Sequence, residues 1–236
     1  MKKSFNALVL SLAFLFYVLV NVPAQETSFE DDALFELKKT SEQAMEGKKL
    51  RIVTVDEQFE NQSPTPVSFS KSIREILPPD RNRRIYETRT VNGIERIEYI
   101  DIGEKSFMRR NDGEWEIYAP TGMGMGNGSG YEDGIPKVEI TTVKTLTRGE
   151  TINNQTVDLY KTVVSKKFIY PTKTFTEIST ESFWFDRSGK MLKSIREFQD
   201  GARNSLSRTT VEYEYNPNLK IEEPRVKNKP KAQVKR

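Results

Sequence analysis

The sequence predicts a mainly β protein, a curled antiparallel sheet forming a half-barrel beneath an N-terminal helix and loops. Three observations carry that expectation. From Arg83 to Tyr215 the chain is a series of strand-like segments separated by short turn signals. Ahead of them lies one amphipathic helical segment, with a shorter helical stretch at Phe69 to Leu77. So little helix leaves a long sheet under-covered, and an under-covered sheet curls to shelter its apolar face.

The chain starts with Lys2 and Lys3, an apolar run of 14 residues from Ala7 to Val20, and Asn21-Val22-Pro23-Ala24. This is the layout of a secretory signal peptide with cleavage after Ala24, and the run is short for a hydrocarbon core of about 30 Å. The expected product is periplasmic or secreted. With no cysteine it carries neither disulfide nor lipidated N-terminus. Gln25 to Pro224 holds 29 basic and 34 acidic residues, about 200 residues in all, which fits one domain. That mildly acidic body argues against nucleic acid as a partner. The tail from Arg225 to Arg236 carries six cations and no acid; it reads as a disordered extension whose nearest polyanion would be an anionic membrane surface.

Ser28 to Gly47 places acids first, Leu34, Leu37, Ala44 and Met45 at helical spacing, and a glycine last, which predicts a helix. Leu50 to Val55 reads as a strand, and the polar, proline-bearing stretch to Pro66 as a loop. Phe69 to Leu77 is expected to form one or two helical turns stopped by Pro78-Pro79. Two strands then meet across Asn92-Gly93, a strong hairpin signal. KSFMRR turns at Asn111-Asp112-Gly113 into EWEIY. After a glycine-rich stretch come PKVEITTVKTL, QTVDLYKTVVSKKFIY, KTFTEISTESFWFD, KMLKSIREFQ and SLSRTTVEYEY, a meander in which sequence neighbours pair.

Function is bounded first by exclusion. Without histidine or cysteine there is no Ser/His/Asp triad, Cys/His dyad or zinc site of the usual kind. Neither Asn111-Asp112-Gly113 nor Asp186-Arg187-Ser188-Gly189 has the further acids a calcium loop needs. No catalytic residue, metal or cofactor is assigned, and the chain is read as a binding protein. Gly122, Gly124, Gly126, Gly128 and Gly130 are separated by even numbers only, so neither dinucleotide nor phosphate-loop spacing passes through them. They are expected to form a mobile flap. The positive signal is aromatic and aliphatic content on alternating strands. Val157, Leu159, Phe175, Phe183, Phe185, Val211, Tyr213 and Tyr215 are the candidates for an apolar cavity. Such a cavity suits acyl chains, since each buried methylene yields about 0.8 kcal/mol.

Two motifs carry a resemblance. Phe183-Trp184-Phe185-Asp186, Ser188-Gly189-Lys190 and Leu192 form a strand, turn and strand, followed by Tyr213, Tyr215, Asn216-Pro217, Ile221 and Pro224. The chain resembles the periplasmic lipoprotein-carrier superfamily of LolA, LolB, LppX and LprG, which also includes the sensor domain of RseB. The resemblance implies a half-barrel with a helical lid and acyl chains of a lipid or lipoprotein as partners. It leaves a second reading, a sensor or envelope module that meets a protein partner without carrying lipid. The glycine stretch, the polar 58–68 stretch and the basic tail depart from the pattern.

Overall fold

The computed structural model describes residues 26–61, 63–90, 93–118 and 136–226. Among the described residues the one helix, α1 (Asp31–Met45), begins with two acids against the positive end of its dipole and stops just before Gly47, whose φ of +65° an L side chain seldom adopts. The strands are β1 (Glu26–Thr27), β2 (Leu50–Glu60), β3 (Ser68–Leu77), β4 (Arg81–Thr90), β5 (Gly93–Ile102), β6 (Lys105–Arg110) and β7 (Glu116–Ile117). They continue with β8 (Lys137–Ile152), β9 (Gln155–Ile169), β10 (Thr174–Asp186), β11 (Met191–Asp200) and β12 (Ser205–Tyr215).

All of them join one 12-stranded antiparallel sheet in the order β1-β8-β9-β10-β11-β12-β2-β3-β4-β5-β6-β7. The sheet is open, with β1 and β7 at its edges and α1 across one face, which is the half-barrel class the sequence predicts. Two meanders, β2 to β7 and β8 to β12, are sewn together where β12 pairs with β2. That junction puts chain-distant segments side by side: Tyr213 lies opposite Ile52, and Tyr215 opposite Leu50.

One expected element is corrected. Phe69 to Leu77 is strand β3, not helical turns, hydrogen-bonded on both sides to β2 and β4. A segment flanked by two open strand edges gains two ladders by extending, and β-branched Ile73 and Ile76 suit the pleat. EWEIY contributes only the two residues of β7. The hairpin after β8 turns on Asn153 and Asn154, both at positive φ. Asn-Asn fits such a turn because asparagine tolerates the left-handed region.

Because cross-strand partners share a face, the register sorts the whole sheet. One face bears α1 and the cluster of Phe29, Leu34, Leu146, Phe183, Phe185 and Met191, with Leu37, Tyr160 and Tyr213 packed against it. We call this the helix face. The other face is crossed by the extended chain after β12, where Arg81 donates to the Ile221 carbonyl at 2.6 Å and Lys105 pairs with Glu223 at 2.8 Å. Leu219 and Ile221 are buried there.

Candidate functional site

The helix is fixed to its face by a small polar clasp. Ser41, fully buried on α1, accepts a hydrogen bond from the Met191 amide at 3.0 Å, and the Tyr215 hydroxyl donates to the Met191 carbonyl at 3.0 Å. The turn before β11 comes close beneath the helix. Gly189 has a φ of +80°, and a Cβ there would stand 3.2 Å from Thr40 Cγ2. Asp186 shapes this turn by accepting from the Ser188 amide, the Ser188 hydroxyl and the Lys190 amide, so its carboxylate serves the backbone. Lys38 lays its ammonium over the Phe183 ring at 3.8 Å, and Lys144 pairs with Asp31 at the start of the helix. Aromatic edges complete the contact: Tyr160 meets Phe29 at 5.1 Å and Phe185 at 5.7 Å. Burial pushes the phenols of Tyr213, Tyr215 and Tyr160 above their ordinary value, with the nearby Asp158 charge adding to the effect at Tyr160.

Beyond α1 the same face keeps aromatic and aliphatic side chains, set among charged ones such as Lys166, Glu177 and Arg196, and among the described residues no helix covers it. Phe168 stacks on Phe175 at 5.1 Å, and Tyr170 on Phe175 at 5.9 Å. Val138 lies opposite Phe168 in β9, and Phe198 opposite Ser179 in β10, which places both on this face. Ile140, opposite Lys166, joins them and is 63% exposed. The helix face therefore runs from a closed aromatic cluster under α1 to an open surface on the long β8 to β10 ribbon where aromatic and aliphatic side chains alternate with charged ones. Toward β3 and β4 it turns polar, with a concavity of about 220 Å³ lined by Ile52, Thr54, Ser72, Ile73, Arg74, Arg84 and Tyr86.

Six of the eight cavity candidates lie on the helix face. Phe183 and Phe185 sit in the cluster, Tyr213 packs against it, and Tyr215 belongs to the clasp. Phe175 is in the open aromatic stack, and Val211, opposite Thr54 and Ser194, lines the stretch between. Val157 and Leu159 are not brought to this face. They stand opposite Asp186 and Trp184, whose side chains alternate with Phe183 and Phe185, so they belong to the other side of the sheet. Alternation groups residues within one strand, but only the register between strands decides which groups meet. Gly122, Gly124, Gly126, Gly128 and Gly130 fall outside the described residues, as do Met1 to Gln25 and the tail beyond Val226.

Sequence reasoning missed Ser41, Tyr160, Arg74 and Arg84. The periodicity of α1 marks Ser41 only as a polar interruption, and nothing in the sequence places Arg74 beside Arg84.

No family model and no curated protein matches this chain. Among solved structures it is similar to a domain assigned to outer-membrane lipoprotein sorting in Vibrio parahaemolyticus, with 11% identity, coverage of 78% of this chain and 93% of that one, and a TM-score of 0.29. It is similar to a DUF1329 family protein from Desulfovibrio piger at 7% identity, 80% and 94% coverage, and a TM-score of 0.30. A LolA superfamily protein from Nitrosomonas europaea matches at 10% identity, 79% and 94% coverage, and a TM-score of 0.27.

Proposed function

We propose that this protein is exported and binds the acyl chains of a lipid or lipoprotein on the helix face, as a non-catalytic carrier in the cell envelope. One observation carries the reading: large hydrophobic side chains of this face continue, exposed, past the end of its helical cover. A helix of 15 residues reaches about 22 Å and shelters the cluster around Phe185, while Val138, Ile140, Phe168, Phe175 and Phe198 continue the surface without it. An acyl chain laid along that surface removes apolar area from water on both partners, at about 25 cal/mol per Å². The clasp through Ser41 holds the lid by few hydrogen bonds, which suits a cover that must admit and release a chain.

Native mass spectrometry of the chain from Gln25 onward, purified gently from a bacterial periplasm and followed by organic extraction, tests this reading. Bound diacyl lipid or lipoprotein is the expected result. A clean apo mass with no uptake of added phospholipid would contradict it and direct attention to protein partners.

A further inference from the structure

We propose that the polar stretch of the helix face binds the anionic group of the ligand, with the Arg74 guanidinium as its counter-ion. This rests on the acyl-chain reading above and assigns the headgroup end of the same site.

A row of cross-strand neighbours crosses the helix face. Tyr213, Ile52, Arg74, Arg84, Tyr99 and Met108 lie opposite one another in turn from β12 to β6. Arg74 and Arg84 are thus directly opposed, where like charges destabilise a sheet. Arg84 is answered within the chain: it donates to Asp101 at 3.0 Å and lies over the Tyr99 ring at 5.3 Å. Its Nε is nonetheless buried without a partner. Arg74 has no ion pair, hydrogen bond or ring contact among the described residues. The nearby acids on this face are engaged elsewhere. Asp101 also accepts from Ser106, Asp56 accepts from Ser70 and Thr209, and Glu95 pairs with Arg110.

An unanswered guanidinium beside a second one, at a concavity that also offers the hydroxyls of Thr54, Ser72 and Tyr86, matches a phosphate or carboxylate. Arg74 also stands two strands from Tyr213, which packs against the aromatic cluster; at strand spacing that is about 10 Å. An amphiphile can therefore lay its chain along the helix face past Tyr213, at the edge of the cluster, with its charged head at Arg74.

Calorimetric titration of the chain from Gln25 onward tests this at low salt with inorganic phosphate and with dodecyl phosphate and dodecyl maltoside, the two amphiphiles below their micellar range. Dodecyl phosphate should bind about tenfold more tightly than dodecyl maltoside, as expected for a charge-assisted contact that salt weakens. Arg74→Gln should abolish the preference and leave dodecyl maltoside affinity unchanged, and Arg74→Lys should keep part of it. Equal wild-type affinities, or a preference that survives Arg74→Gln, would overturn the headgroup site and leave the acyl-chain reading standing. If neither amphiphile binds, the acyl-chain reading fails. Inorganic phosphate bound alone and lost in Arg74→Gln would then overturn the headgroup assignment and make Arg74 a free-anion site.

Discussion

The two faces of the sheet handle charge in opposite ways. Across the face opposite the helix runs a ladder from β12 to β6, Glu214, Arg51, Glu75, Arg83, Glu98 and Arg109, each ionic partner on the next strand. Arg51 bridges Glu214 at 2.8 Å and Glu75 at 2.9 Å, and Arg109 forks onto Glu98 at 2.6 and 2.8 Å while stacking on Trp115. Glu98 is only 2% exposed, which a carboxylate tolerates because two guanidiniums answer it. The chain after β12 then closes over Arg81 and Lys105 on that side. On the helix face, by contrast, Arg74 is left unanswered and the aromatic surface outruns its cover. The opposite face completes its charges within the chain and serves the fold, whereas the helix face is the one on which the proposed ligand would lie.

Substitutions can separate the two roles. The largest expected effect comes from the closed part of the helix face. Phe185→Ala, at a position 1% exposed, should cost about 3–5 kcal/mol in urea unfolding and weaken acyl-chain binding as well. Glu98→Gln should cost about 2 kcal/mol, less than a fully orphaned buried charge because Arg83 and Arg109 keep partial access to water. It should leave ligand affinity unchanged, and a lost affinity would blur the division between faces. Ser41→Ala should cost about 1 kcal/mol by leaving the Met191 amide unpaired, while speeding ligand exchange in stopped-flow displacement.

The smallest effect is a pH dependence. Tyr213 and Tyr215 are raised by burial in the folded chain, and their unfolded phenols ionise near pH 10. Their contribution is whole below about pH 10 and is lost as pH rises through the folded values. Urea unfolding from pH 9 upward should show stability falling, and Tyr213→Phe should flatten that fall.

Much of this fold is legible along the chain because strand identity is local. Alternation in VEYEY puts Val211, Tyr213 and Tyr215 on one side, and they share the helix face. The Asn92-Gly93 signal joins β4 to β5, whose ends pair as Thr90 with Gly93. Two things are not local. β3 is a strand because β2 and β4 supply its hydrogen bonds, and no feature of SFSKSIREIL announces those neighbours. Val157 and Leu159 alternate as cleanly as the tyrosines, yet only their register with Asp186 and Trp184 sends them to the other face. The charge ladder and the opposed arginines are likewise products of register, since their members are scattered from Arg51 to Glu214.

The most direct test of the division between the two faces is photocrosslinking. A photoreactive residue is placed singly at Phe175 or Val211 on the helix face, or at Val53 or Leu159 on the opposite face, and the protein is loaded with a radiolabelled diacyl phospholipid. Labelling from Phe175 and Val211 with none from Val53 or Leu159 is the predicted result. Equal labelling from both faces, or labelling from Val53 and Leu159 alone, would contradict the account.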